Sequence, residues 1–269
     1  MIRIKDNEFR ELTKFLKINY GINLIQKKNL VEGRLSNILL EKGFNSFREY
    51  LDYVYSDYTK NELTMLINKL TTNHTFFMRE SRHFEYLKNN VLPYLHFAVK
   101  DKDLRIWSAG CSSGEEAYTL AMILEEYFAE EKSLWDKKIL ATDISVNALK
   151  QAADGVYCAE ALEKISERWK LQFFKKNDND NYKVTEELKK EVIFRVFNLM
   201  DEFPFRKKFH VIFCRNVMIY FDKETKERLT KKFYDMTERG GYLFVGLSES
   251  INREEVPYSY IMPSVYRKG

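Results

Sequence analysis

Through the first seventy positions apolar residues recur three and four apart, and after residue 104 that rhythm gives way to short apolar runs alternating with helical stretches. "SFREYLDYVY" sets Ser46 and Glu49 at capping-box spacing and puts Phe47, Tyr50, Leu51, Val54 and Tyr55 on one face. "TKNELTMLINKL" repeats the device with Thr59 and Glu62, followed by Leu63, Leu66, Ile67 and Leu70. Gly21 and Gly43 stand where two earlier helices would stop. The pattern predicts a small all-helical N-terminal domain over residues 1–70.

The later grammar is different. "LRIWSAG", "KKILATD" and "FHVIFCRN" are short apolar runs, separated by helical "EEAYTLAMILEEYF" and "SVNALKQAA" and followed by "KETKERLTKKFYDM" and "GGYLFVGLSE". Buried strands alternating with helices predict a parallel α/β sheet covered on both faces, spanning residues 81–269. "SVYRKG" would add a last edge strand. The segment around the Asn/Asp-rich turn at 177–181 breaks the alternation and predicts a small β-hairpin insertion near residues 170–196.

Composition narrows the field only modestly. The 269 residues are 45% hydrophobic and 31% charged, an ordinary globular balance. A net charge of +4 is weak for a protein living on phosphate backbones. Three scattered cysteines, no signal-like start and no run of 18 apolar residues predict a cytoplasmic protein without membrane insertion. The four histidines have no metal-ligand spacing, so no metal is expected.

Three stretches carry candidate chemistry. In "WSAGCSSGEEAY", Gly110 and Gly114 lie between a buried strand and a helix, where a ligand can approach the backbone. Glu115 near the helix start would repel a pyrophosphate, so a cationic, phosphate-free cofactor such as S-adenosylmethionine suits the turn better. Alone, the stretch fits a plain strand-to-helix turn equally well. Asp143 ends the next strand, placed to accept bonds from ribose hydroxyls, or else to cap the following helix. In "FCRNVMIYFD", Arg215 and Asn216 follow a core strand at its carboxyl end, where ligands bind in open α/β sheets. Tyr220 comes one helical turn later.

Together "TTNHTFFMRE", "WSAGCSSGEEAY", "FNLMDEFPF" and "FCRNVMIYFD" resemble the CheR-type chemotaxis receptor methyltransferases in order and separation, over nearly the whole chain. The resemblance implies a Rossmann-like S-adenosylmethionine-dependent methyltransferase sheet behind a helical receptor-docking domain, with residues 71–80 as a lid between them. It implies methyl transfer to glutamate side chains on the cytoplasmic helices of chemoreceptors, with S-adenosylhomocysteine as product and no nucleic-acid partner. Carried over by motif position, cofactor contacts fall to Asn73, Thr75, Arg79, Glu115, Asp143, Asn198, Leu199, Arg215 and Asn216. Arg79 and Tyr220 would border the transfer site as its catalytic residues.

A glutamate with a side-chain pKa near 4.3 is already ionised at neutral pH, so such a transfer needs alignment and exclusion of water and no general base. In residues 26–43, Lys27, Lys28 and Arg34 form a basic stripe that would steer an acidic receptor helix. The turn "KKNDNDNYK" lacks the glycine-containing loop with which some relatives grip a receptor tail, so no tail-peptide tether is expected. A nucleic-acid methyltransferase is the nearest rival. The chain has no Pro-Pro stretch for flipped-base amino methylation and no Cys-Pro nucleophile.

Overall fold

The structure, a computed structural model, describes residues 2–59, 61–71, 74–177 and 180–269. Four helices come first: α1 (Asp6–Tyr20), α2 (Lys28–Glu41), α3 (Phe47–Ser56) and α4 (Asn61–Leu70). Gly21 ends α1 in the left-handed conformation at φ 71°, which costs a residue without Cβ little. Ser46 caps α3 by accepting from Glu49 N at 3.2 Å, while the Glu49 carboxylate reaches back to Asn45 N at 3.0 Å. The start of α4 differs from the expected Thr59–Glu62 box. Asp57 accepts from both Glu62 N and Thr59 N at 2.9 Å, because an ionised carboxylate outcompetes a hydroxyl for the free amides of a helix start. The apolar faces close on one core containing Leu12, Leu16, Leu35, Leu39, Phe47, Tyr50 and Leu66.

Beyond the lid, α5 (Ser81–Tyr86) and α6 (Leu92–Ala98) are joined through one π-helical turn. The α/β unit follows with β1 (Ile106–Ala109), α7 (Glu115–Tyr127), β2 (Ile139–Asp143), α8 (Val146–Asp154), β3 (Val156–Cys158) and α9 (Glu167–Phe173). Then come β4 (Phe174–Lys176), β5 (Asn181–Val184), α10 (Glu186–Lys189), β6 (Val192–Val196), β7 (Phe209–Cys214), α11 (Lys223–Met236), β8 (Thr237–Val245), β9 (Tyr258–Met262) and β10 (Val265–Lys268). The main sheet has strand order β6-β2-β1-β7-β8-β10-β9. Its first five strands run parallel, and β10 is antiparallel to both β8 and β9. Order reverses between β1 and β7, the switch point where open α/β sheets leave a crevice at the strands' carboxyl ends.

Two expectations about strands shift. The last strand is not an edge: β10 lies between β8 and β9, and β9 takes the border. The insertion is a three-stranded antiparallel sheet, β3-β5-β4, that begins at Val156, earlier than the hairpin read from sequence. "VIFRV" belongs instead to the main sheet as β6, paired in parallel with β2. An exposed edge strand alternates like a hairpin arm, so pattern alone does not separate the two.

The two units meet along the crevice. Ile22 bridges to Phe221, Asn23 N donates to Tyr220 O at 2.8 Å, and Lys17 pairs with Asp222 at 2.6 Å. Ile144, Tyr220 and Phe221 pack against the helical core. The helical unit is thereby a wall of the crevice.

Candidate active site

The floor of the crevice is made by the turns after β1, β2 and β7. Gly110, at φ 91°, ends β1, and a Cβ on it would lie 2.4 Å from Val217 Cγ2, so only glycine fits between these turns. Gly110 N and Cys111 N both donate to Thr142 O, at 2.7 and 2.9 Å, which fastens the β1 turn to β2. At the tip of β2, Asp143 Oδ2 accepts from Ser112 N and Oδ1 from Ser145 N, each at 2.8 Å. Burial pushes the Asp143 carboxyl up, while those backbone donors favour its charged form. Capping of α8 falls to Ser145, which accepts from Ala148 N at 3.1 Å and leaves Asp143 facing the cleft it lines.

Arg215 is the most heavily held group. Its side chain is 2% exposed, with Nη1 3.0 Å from Glu116 Oε2 and Nη2 3.0 Å from Glu80 Oε2. Its guanidinium lies 5.0 Å from the Phe84 ring centre and 6.0 Å from that of Phe213. Among the described residues Arg215 Nε has no hydrogen-bond partner, which leaves a buried donor for a ligand at the cleft. Asn216 adopts φ 59°, its N–H bonded to Glu249 Oε2 at 2.8 Å and its side-chain amide to Glu80 Oε1 at 3.3 Å. Glu249, itself buried, also accepts from Ile219 N at 3.0 Å and Gly246 N at 2.6 Å, so one carboxylate ties the turn after β7 to that after β8.

The acidic pair at the start of α7 divides. Glu116 lines the cleft, its Oε1 accepting from Ser108 Oγ at 2.7 Å. Burial pushes its carboxyl up against the pull of Arg215. Glu115 does not line the cleft: both its oxygens accept from Ser113 Oγ, at 3.0 and 2.8 Å, and burial raises it too. Periodicity could not choose between neighbours, because α7 is buried on nearly every side.

The segment joining the two units contributes His74, Thr75, Phe76 and Arg79 to the cleft lining. Phe77 is fully buried in the sheet core, edge-on to Tyr157 and Phe174 at 4.9 and 5.7 Å between ring centres. Phe76 instead lines the cleft beside Thr75 and Arg79. The Arg79 guanidinium donates to His74 O and lies 5.9 Å from the Phe76 ring centre. Asn73 lies outside the described residues. Asn198 and Leu199 also line the cleft, but the Asn198 side chain is engaged within the protein, donating to Asn19 O at 2.7 Å and accepting from Met200 N at 3.1 Å. Tyr220 lines it as well.

Tyr20, Ile22, Ile67 and Asn68 of the helical unit, and Thr71 just beyond it, also line the cleft. No local signal marks them, since their role exists only once the two units pack. The basic stripe also looks different in three dimensions. Lys27 is exposed, Lys28 pairs with Asp6 at 2.5 Å on the surface, and Arg34 donates to Leu70 O at 2.8 Å and Lys69 O at 3.3 Å. Arg34 is therefore attached to the end of α4, at the root of the lid, and is not a free docking charge.

The cleft encloses about 390 Å³. It offers carboxylates at Glu116 and Asp143 to a ligand's cations and hydroxyls, guanidiniums at Arg79 and Arg215 to a carboxylate, and apolar walls at Phe76, Ile144 and Phe197. That donor set fits S-adenosylmethionine, which carries an ammonium, a sulfonium, a carboxylate and ribose hydroxyls. Cys111 also lines the cleft, but burial pushes its thiol well up, so it is no ready nucleophile.

Comparison with known proteins agrees with this chemistry. Residues 73–266 match the family described as CheR methyltransferase, SAM binding domain, and residues 7–71 match CheR methyltransferase, all-alpha domain. A chemotaxis protein methyltransferase of Borreliella burgdorferi is 45% identical over 100% of this chain and 96% of its own length. A probable chemotaxis protein methyltransferase of Rhizobium etli is 38% identical over 85% of this chain and 86% of its own. The chain belongs to the CheR methyltransferase family, and S-adenosylmethionine is its cofactor.

Proposed function

We propose that this methyltransferase esterifies glutamate side chains on chemoreceptor helices in the cytoplasm. The observation that carries the reading is the composition of the cleft: paired guanidiniums and carboxylates, Tyr220 in its lining and, among the described residues, no activated nucleophile. S-adenosylmethionine supplies a methyl group on a sulfonium centre. A target carboxylate is already ionised at neutral pH, so the chain's part is to orient, desolvate and neutralise. Glu116 and Asp143 hold the cofactor's ammonium and ribose, and Arg79 and Arg215 its carboxylate, by charge-assisted bonds. Thr75 and the backbone at Asn198 and Leu199 complete the contacts. The Tyr220 hydroxyl donates to the incoming carboxylate and fixes its line of approach, and its backbone is set by the bond to Asn23.

Receptor recognition falls to the helical unit around Lys27 and Lys28, and the surface ion pair of Lys28 with Asp6 is weak enough to be exchanged for receptor acids. Asn177 N donates to Asn181 O at 2.7 Å where β4 leads toward β5, and with no glycine in "KKNDNDNYK" the reading has no tail-peptide tether. The test is incubation with labelled S-adenosylmethionine and a receptor cytoplasmic fragment. Label released as methanol by base marks an ester. Label stable to base would place the methyl on nitrogen or carbon and overturn the reading.

A further inference from the structure

Glu80 is outside the cleft lining, yet it holds the part of the lid that carries Arg79. Its carboxylate meets three groups on two other elements: Arg215 Nη2 at 3.0 Å, Asn216 Nδ2 at 3.3 Å and Leu247 N at 3.3 Å. Arg215 Nη2 also donates to Arg79 O, so the same guanidinium grips the lid by side chain and backbone together. Met78 and Glu80, on either side of Arg79, both lie in the left-handed region at φ 59° and 57°. Two non-glycine residues hold that conformation only where surrounding contacts over-determine it. Here those contacts are Phe77 buried in the core on one side of Arg79 and the Glu80 cluster on the other. The cluster is deep: the Glu80 side chain is 13% exposed, and His83 packs 3.5 Å from it. Burial pulls the Glu80 carboxyl up, but the charge and hydrogen bonds of Arg215 prevail and hold it below its ordinary value.

We propose that Glu80 is a positioning residue for methyl transfer, a latch that fastens the lid to the turns after β7 and β8 and so sets Arg79 over the cofactor cleft. Arg215 is the catch: its far side is fixed by Glu116, so it cannot follow the lid if the lid swings away. The proposal rests on the cofactor lying in this cleft and is independent of which methyl acceptor is used.

The test is Glu80→Gln in the full chain, with Glu80→Asp as the conservative partner. Hydrogen exchange in the free protein reads the latch, and S-adenosylhomocysteine titration reads its consequence. With the charge gone, amides of residues 74–80 should exchange about tenfold faster, and affinity should fall by a similar factor, as expected for a charge-assisted bond. Exchange in β1 and β7 should stay as it was, and Glu80→Asp should recover part of both losses. Unchanged lid exchange, or faster exchange spread equally through the sheet, would overturn the latch. A loosened lid with unchanged affinity would also overturn the positioning role, and would trace the fault to where the cofactor sits.

Discussion

The carboxyl end of the central strand β7 and the segment joining the two units each bring one arginine to the cleft, and they hold it by opposite means. Arg215 is 2% exposed, lies between two carboxylates and rests on aromatic rings. Arg79 is half-buried, bonded to a carbonyl of its own segment and near one phenylalanine. The first is pre-organised: its charge is neutralised and its geometry fixed before any ligand arrives. The second takes its position from the backbone that carries it. A site assembled this way has a rigid floor and a roof whose order depends on a few contacts at its ends.

The largest expected effect comes from the floor. Arg215→Ala leaves Glu80 and Glu116 buried without their partner, a loss of about 3–5 kcal/mol in stability. The thermal midpoint should drop and S-adenosylhomocysteine binding should vanish, measured by scanning calorimetry and titration. A variant as stable as the parent would show that the triad is not the keystone of the floor. Arg79→Ala should do the reverse, with stability shifted by about 0.5 kcal/mol or less and methylation strongly impaired.

Asp143→Asn comes next. It keeps the shape but exchanges a carboxyl acceptor, bonded by Ser112 N and Ser145 N, for an amide. Cofactor affinity should weaken about ten- to a hundredfold, the range for hydrogen bonds to charged groups. Unaltered affinity would remove Asp143 from the ribose site.

The histidines give a pH test of intermediate size. Burial foremost, then Arg215, pushes His83 down to about 4, and burial with Arg105 does the same to His210. Unfolded histidines titrate near 6.5, so between about 4 and 6.5 each of these two side chains binds more protons unfolded than folded. Stability from these groups is complete above pH 6.5 and is lost as pH falls toward 4. Urea midpoints measured across that window should decline with acid. His210→Asn, which keeps an acceptor for Arg105 N, should flatten the decline. No flattening would mean that His210 is protonated when folded.

The smallest effect concerns the proposed receptor-docking face. Lys27→Glu with Lys28→Glu should raise the receptor KM about two- to fivefold and leave cofactor affinity alone. Arg34→Glu should disturb both, because Arg34 is bound to the carbonyls of Leu70 and Lys69 beneath the lid. If all three substitutions changed receptor KM only, Arg34 would return to the docking stripe.

Much of this architecture was legible in the chain, and what was not has identifiable causes. Helix faces such as Phe47–Tyr50–Leu51–Val54 show because one side is buried and the other wet. The glycine turn and Asp143 show because their backbone demands are local. Glu116 was hidden by a helix buried all round. Glu80 and Glu249 were hidden because their partners lie far along the chain, in Arg215 and Leu247 for one and in Asn216 and Ile219 for the other. Arg34 read as a surface charge since nothing near it in sequence announces the open end of α4. Tyr20 and Ile22 belong to the site only through the packing of one unit on the other.

The decisive measurement is a crystal structure with S-adenosylhomocysteine. The product should lie across the ends of β1, β2 and β7, with its ribose on Asp143, its amino-acid end near Glu116 and Arg215, and residues 74–80 closed above it. Adenosine bound elsewhere, or Arg79 swung into solvent with the product in place, would contradict it.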